Sequence, residues 1–226
     1  MKRLSFLVFV AALAISFTLM WACTGQTGLG IEQISGSGNL KTEKRELAGF
    51  KKIQAGGAIA LEVISGKEFS VEIEADDNIL PHIKTEVRGD TLHIERENKL
   101  NFSNNRLTAR ISLPELNGLD LSGASRAQVS GVATDDLKLQ ASGASEIKIS
   151  GAAKDVDADL SGASRLEAEN LQAEEASIDA SGASRATVFA TREIEAEASG
   201  ASNITYSGNP KSVNKNASGA SSISEK

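Results

Sequence analysis

Aromatic residues are scarce in this 226-residue chain, at 4% of its composition. Four of them lie in the first 22 residues, and the later ones are Phe50, Phe69, Phe102, Phe189 and Tyr206. Proteins use large aromatic faces to stack nucleic acid bases or sugar rings. Their scarcity argues against such stacking surfaces and favours a narrow interior filled by aliphatic and small side chains.

Cysteine, histidine and basic residues are also in short supply. Cys23 is the only cysteine, so no disulfide can form within the chain. The only histidines are His82 and His93. Without the first 22 residues the chain carries 22 basic and 30 acidic residues, a formal charge of −8. Nucleic acid binding needs a basic stripe, and no cluster of Lys and Arg is present, so we expect no nucleic acid partner.

The start of the chain has the layout of a secretory signal. Lys2-Arg3 precedes an uncharged, largely apolar run from Leu4 to Ala22, and this run ends at Cys23. A polar, Gly-rich stretch follows. We therefore predict a signal peptide over residues 1–22, with Cys23 as the lipid-bearing N-terminus of a flexible tether over residues 23–38.

An uncleaved membrane anchor is the competing interpretation, because an apolar run of this length could just span a bilayer. Either arrangement places the rest of the chain outside the inner membrane. The lipid-anchored alternative predicts an exported cell-envelope protein, an outer-membrane lipoprotein on the periplasmic or the surface face, with the membrane as one partner.

The second half of the chain repeats the tetrapeptide Ser-Gly-Ala-Ser six times. The copies are 20, 19, 20, 18 and 19 residues apart and begin at Ser122, Ser142, Ser161, Ser181, Ser199 and Ser218. A period near twenty without a helical pattern predicts short strands that return to the same corner in every turn, an all-β parallel solenoid. The tetrapeptide itself is predicted to form that corner. A nucleophilic role for its serines is disfavoured because both histidines lie outside the repeats.

Polar and apolar residues alternate strictly after each tetrapeptide. The first position is outward in our prediction and the second inward. The outward column is Arg126, Glu146, Arg165, Arg185, Asn203 and Ser222, and the inward column is Ala127, Ile147, Leu166, Ala186, Ile204 and Ile223. The strand before each tetrapeptide alternates in the same way. Only Lys215, in the last turn, breaks an inward column there, and we interpret it as part of a cap together with residues 224–226.

Residues 39–121 lack the strict repeat but contain strand-like segments. These are 53–55, 59–64, 69–75, 91–96 and 107–113, with one helical turn predicted within residues 76–83. We see no composition break after Gly38. The prediction is one domain over residues 39–226, with irregular N-terminal coils over 39–121 and regular coils over 122–226.

The N-terminal motifs and the repeats together resemble a known family. The motifs are Phe-Lys-Lys-Ile at 50–53, Gly-Ala-Ile-Ala-Leu-Glu-Val at 57–63, Glu-Ile-Glu-Ala-Asp-Asp-Asn-Ile-Leu at 72–80 and Ile-Lys-Thr-Glu-Val at 83–87. With the Ser-Gly-Ala-Ser series, they are similar to the "putative auto-transporter adhesin, head GIN domain" family over roughly residues 45–222. The resemblance implies a right-handed parallel β-helix in an exported bacterial envelope protein, often a lipoprotein, and it supplies no catalytic residues.

Acidic residues recur on one outward face before the tetrapeptide. Five carboxylates should gather there over three successive turns: Asp157, Asp159, Asp179, Glu195 and Glu197. Turns stack about 4.8 Å apart, so these charges must be compensated. Arg165 and Arg185 across the corner, solvent and salt, or a bound Ca²⁺ could do so. The patch is an ordinary solvated acidic ladder or a candidate site for a cation or cationic ligand.

Function is predicted from these surface columns. We expect a non-enzymatic, adhesin-like or scaffold module that presents repetitive faces to an extended envelope polysaccharide or protein, with no cofactor and no metal requirement. A purely structural envelope role is one alternative. A polysaccharide lyase is another, because β-helix lyases combine clustered Asp with Arg, but the nearly constant repeat length leaves no room for cleft walls.

Overall fold

The computed structural model describes residues 32–97, 100–103 and 106–226, and residues Gln33–Lys226 form one compact unit. The predicted signal peptide and Cys23 lie outside the described residues. In the described part of the chain, no helix has both the length and the hydrophobicity of a membrane span. The nine strands before the regular repeats are β1 (Glu32–Ser35), β2 (Leu40–Arg45), β3 (Lys52–Ala55), β4 (Ala60–Ser65), β5 (Ser70–Asp76), β6 (Ile83–Arg88), β7 (Thr91–Arg96), β8 (Leu100–Ser103) and β9 (Leu107–Leu113).

The repeats form the predicted parallel β-solenoid. Its strands are β10 (Gly118–Leu121), β11 (Arg126–Ala141), β12 (Glu146–Leu160), β13 (Arg165–Ala180), β14 (Arg185–Ala198), β15 (Asn203–Ser207), β16 (Ser212–Ala217) and β17 (Ser222–Glu225). The strands from β10 to β15 each pair in parallel with the equivalent segment of the next turn, and β16 and β17 pair in parallel with β14 and β15 of the turn before. Turn-forming residues at Ser130-Gly131 and Ser150-Gly151 predict loops that mark a second corner of the coil. In the structure these sites are bends within continuous strands, because ladder pairing resumes directly after each register shift.

The strand register confirms the predicted columns. Ala127, Ile147, Leu166, Ala186 and Ile204 are mutual neighbours on successive strands. Each of the five is at most 4% exposed. The residues between them face water, because successive side chains of a strand point to opposite faces. The interior is therefore a stack of aliphatic and small side chains, as the scarcity of aromatics indicated.

Backbone conformation and hydrogen bonds to backbone oxygens hold the Ser-Gly-Ala-Ser corner. Its glycines have φ between +74° and +77°, a region that glycine enters readily. The amide of Ala163 donates to the Gly143 oxygen of the preceding turn over 2.7 Å. The last serine of the motif is buried in the first five copies and half-buried in the sixth. The single proton of the Ser202 hydroxyl lies within reach of the Ala180 oxygen at 2.9 Å and the Ser199 oxygen at 2.8 Å. These contacts support the predicted structural role of the tetrapeptide.

The N-terminal region closes the stack with antiparallel strands that the sequence did not predict. β3 and β4 continue the parallel ladder beside β10 and β11. β5 then pairs antiparallel with both β2 and β9, and β6 pairs antiparallel with β7. The predicted helical turn is a 3-10 helix at Leu80–His82. β2 carried no sequence signal because it is exposed or half-buried along its whole length, so its residues do not alternate.

A turn at Asp76, Asp77 and Asn78 holds the segment that enters the domain. The carboxylate of Asp76, 3% exposed, accepts the Gly38 amide at 2.8 Å. Asn78 accepts the Ser37 amide at 3.0 Å and donates to the Ser35 oxygen at 2.8 Å. The predicted tether over residues 23–38 therefore overlaps the folded domain at its C-terminal end, where β1 pairs with β8.

Replacing Asn78 with Ala should loosen this entry segment. The variant loses two side-chain hydrogen bonds to the backbone, and we expect a cost of about 1–2 kcal/mol in the free energy of unfolding. Amide hydrogen exchange should accelerate over residues 36–45. Asn214→Ala, an exposed Asn on β16, is the matched control. Unchanged exchange over that segment in Asn78→Ala would contradict the assignment.

Candidate functional site

The structure brings the five predicted carboxylates together on one outward face. Two adjacent columns run across β12, β13 and β14. The first contains Asp157, Ser177 and Glu195, and the second contains Asp159, Asp179 and Glu197. The side chains of Asp157 and Asp159 are about half exposed. The predicted patch therefore exists as a geometric cluster in contact with water.

A further acidic column beside the patch was missed. Asp136, Asp155, Glu175 and Glu193 are neighbours in register on β11 to β14. We call the whole surface the acidic face, and its ten carboxylates are Asp120, Asp136, Asp155, Asp157, Asp159, Glu175, Asp179, Glu193, Glu195 and Glu197. The missed column was detectable in the sequence, because its four residues occupy the same outward-facing position in successive repeats.

Lys138 and Arg192 supply the positive charge on this face. The Lys138 ammonium is 3.2 Å from Asp157 and 3.7 Å from Asp159, and the hydrogen bond with Asp157 raises the pKa of Lys138. Arg192 pairs with Glu175. Compensation by Arg165 and Arg185 was one of three possibilities. In the described residues Arg165 lies 3.9 Å from Glu167 on its own strand, and neither arginine forms an ion pair with the five carboxylates. The column of these arginines belongs to the next face of the solenoid.

The centre of the face is electrostatically strained. Partial desolvation raises the pKa of Asp179, and the charges of Glu197, Asp159 and Asp157 raise it further. Neighbouring strands are about 4.8 Å apart, so these carboxylates are close enough to repel one another. The acidic face thus holds uncompensated negative charge at its centre.

Neutralising Asp179 should stabilise the protein near neutral pH. In the folded state the Asp179 carboxyl group stays protonated at pH values where the same group in the unfolded chain has lost its proton. The free energy of unfolding therefore falls as pH rises from the ordinary Asp pKa, about 3.9, through the raised value. Asp179→Asn removes this fall. We expect a gain of less than about 1 kcal/mol at pH 7 and none at pH 3, measured by urea unfolding, because the group is exposed.

Asp90 provides an opposite control for that measurement. Its hydrogen bond with Lys52 lowers its pKa, so its charge stabilises the folded state above the ordinary Asp pKa. Asp90→Asn should lower stability at pH 7. Equal responses of the two variants would contradict the argument that crowding of carboxylates distinguishes Asp179.

Open grooves, rather than a closed cavity, flank the acidic columns. One of about 420 Å³ runs between the column of Asp159 and Asp179 and the corner serines Ser161 and Ser181. Another of about 540 Å³ is lined by residues including Asp155 and Asp157. Within the described parts of the chain, no group of three or more His, Cys, Asp or Glu side chains is arranged to hold a metal ion. The cation site over the five carboxylates stays a prediction.

His93 lines a groove with Asp120, Lys138 and Gln140 at the N-terminal end of the acidic face, but neither histidine pairs with a corner serine in the described residues. His82 Nδ1 lies 2.8 Å from Glu97, and His93 Nδ1 lies 3.7 Å from Glu95, all four within the N-terminal region. Ser184 of the corner instead donates to the backbone oxygen of Ser181 at 2.9 Å. The last serines of the other tetrapeptides donate to a backbone oxygen in the same way, except Ser164, whose buried hydroxyl has no hydrogen-bond partner among the residues that the structure describes. Backbone bonds of this kind are the arrangement of a structural turn.

Comparison with known proteins gives a consistent result. Residues 49–210 match the family described as "putative auto-transporter adhesin, head GIN domain". No protein with a curated description matches the chain.

Several solved structures share the fold. A "putative adhesin" from Bacteroides fragilis is 24% identical, with a TM-score of 0.67 over 85% of this chain and 100% of that one. A "putative adhesin" from Parabacteroides merdae is 18% identical, with a TM-score of 0.54 over 86% and 99%. A "putative lipid binding protein" from Parabacteroides distasonis is 19% identical, with a TM-score of 0.51 over 86% and 100%.

Proposed function

The chain belongs to the "putative auto-transporter adhesin, head GIN domain" family, and from this premise we propose that it is a non-enzymatic, adhesin-like module whose acidic face binds an extended partner. Membership in this family implies a secreted or cell-envelope protein. The observation that carries the proposal is the length and uniformity of the acidic face. One column carries a carboxylate on each of the four strands β11 to β14, and the two columns beside it carry carboxylates at five of their six positions on β12 to β14. Such a surface suits an extended chain better than a compact ligand.

The partner is an envelope polysaccharide or protein chain that presents positive charge or many hydrogen-bond donors. In the described part of the chain, Lys138 and Arg192 form ion pairs with some of the ten carboxylates, and Lys52 lines the groove beside Asp155 and Asp157. Negative charge therefore exceeds positive charge on this face. Complementary charge speeds encounter and sets register more than it adds affinity. We expect binding that weakens with salt, because the carboxylates are exposed.

The binding proposal is tested with neutralised faces. One variant replaces the five central carboxylates, Asp157, Asp159, Asp179, Glu195 and Glu197, by Asn or Gln. A control variant neutralises five carboxylates of other surfaces: the exposed Glu46, Glu62, Glu68 and Glu86, and the half-buried Glu146. Binding to immobilised oligolysine and to isolated envelope polysaccharide should fall in the first variant only. Equal binding by both variants would refute a role for the acidic face.

The same five carboxylates are the proposed contact for a cation, should one take part. Calorimetric titration of the folded domain with Ca²⁺ separates this case from direct contact with a partner. Heat that disappears in Asp179→Asn indicates a cation site. Absence of heat, with oligolysine binding retained, assigns the face to the partner chain itself.

We also propose that a lipid on Cys23 tethers the domain to a membrane, with the outer membrane as its location. Metabolic labelling with a fatty acid should mark the wild type and not Cys23→Ser. Protease added to intact cells should degrade an epitope-tagged protein if the domain faces outward, and protection would indicate the periplasmic face. An assay for unsaturated products from anionic polysaccharides tests the lyase alternative, and we expect none.

A further inference from the structure

The final turn of the solenoid, formed by β16 and β17, is where the apolar columns become charged. Lys215 occupies the position of the buried Ala196 one turn earlier, and Glu225 occupies that of the buried Tyr206. Val213, whose column is otherwise buried, is 43% exposed. The apolar core therefore ends at this turn, because two of its inward positions carry charged residues and a third is exposed to water.

Lys215 covers the end of the core in a specific way. Its Nζ lies 4.5 Å from the centre of the Tyr206 ring, a distance at which an ammonium is attracted to an aromatic face. The charge thus lies over the last aromatic layer while the residue stays exposed to water. Nearby, β16 pairs only with β14, and β17 only with β15, in the part of the chain that the structure describes. The outer edge of each strand carries backbone groups with no partner strand.

We infer that Lys215 keeps a second copy of this chain from stacking on the final turn. A two-fold axis perpendicular to both the stack and β16 would lay β16 antiparallel on the β16 strand of the other copy. That contact would complete the backbone ladder of β16 and extend its inward columns. It would also enclose two Lys215 ammonium groups, one from each copy, and desolvating a charge outweighs the hydrogen bonds gained. Inward-pointing charge is a known protection for strand edges.

Lys215→Leu tests this inference by restoring an aliphatic column. The mass in solution is measured by size-exclusion chromatography with light scattering over a range of concentrations. We expect the wild type to be monomeric and Lys215→Leu to form a species of about twice the mass as the concentration rises. Lys211→Leu removes the same charge outside the columns and should stay monomeric. Lys215→Arg keeps the charge and should also stay monomeric.

A second substitution shows whether association uses the proposed face. Adding Val213→Lys to Lys215→Leu puts a new charge on the same end of the core and should return the protein to a monomer. Circular dichroism verifies that each variant folds, and Lys215→Met is the alternative if the Leu variant is insoluble. A dimeric wild type, a monomeric Lys215→Leu, or association that survives Val213→Lys would each overturn the inference.

Discussion

Gly162→Ala is expected to be among the most destabilising small changes at the solenoid corner. A Cβ at this position would lie 2.5 Å from the Gly143 oxygen and 3.1 Å from its nitrogen. Both are backbone atoms of the adjacent turn, and the same oxygen accepts the Ala163 amide at 2.7 Å. The turns must separate to admit the methyl group, which breaks that ladder. The residue also has φ of +75°, where a Cβ is disfavoured.

The expected cost is about 3–6 kcal/mol, combining the left-handed backbone, the overpacking and a disrupted buried hydrogen bond. That is a large part of the stability of an ordinary domain. Urea unfolding followed by circular dichroism measures it. Gly89→Ala is the control, because Gly89 has φ of +63° but nothing within 4 Å of its Cβ position. It should lose only the backbone contribution, about 1–2 kcal/mol. Equal losses would show that close stacking of turns is not what demands glycine.

Leu166→Ala should have the second largest effect, through a cavity in the core. Leu166 is 1% exposed and lies between Ile147 and Ala186 in its column. Parallel ladders hold these neighbours about 4.8 Å apart, so the turns cannot move in to fill the space. Large-to-small substitutions at such positions cost about 2–5 kcal/mol, and we expect the upper half of that range because Ala186 is too small to compensate.

Leu40→Ala is the matched control for the core substitution. Leu40 is 45% exposed on β2, so the same atoms are removed from a position already in contact with water. The free energy of unfolding should change by less than about 0.5 kcal/mol. A comparable loss in the two variants, measured by the shift in the urea midpoint, would argue against rigid stacking in the interior.

Much of the candidate site followed from the sequence once the repeats were aligned. Asp159, Asp179 and Glu197 are neighbours because a constant repeat length places equivalent residues one above another. Their compensation was not predictable in the same way. Lys138 reaches Asp157 because it lies in register with it one turn earlier, whereas Arg165 points from a different face. Charge pairing depends on which face of the solenoid a residue occupies and on how far its side chain reaches. The spacing of residues in the sequence predicts neither.

The regular half of the protein was predictable from the chain alone: the turn length, the inward and outward columns, and the glycine corner. Alternation and corner chemistry are local properties, and the six repeats show both of them six times. The antiparallel strands that close the N-terminal end became known only from the folded structure, as did the hydrogen bonds from Ser37 to Asp77 and Asn78, about 40 residues away. A contact that is made only once gives no repeating pattern in the sequence. The two segments that form it are far apart in the chain, so no local pattern predicts that they meet.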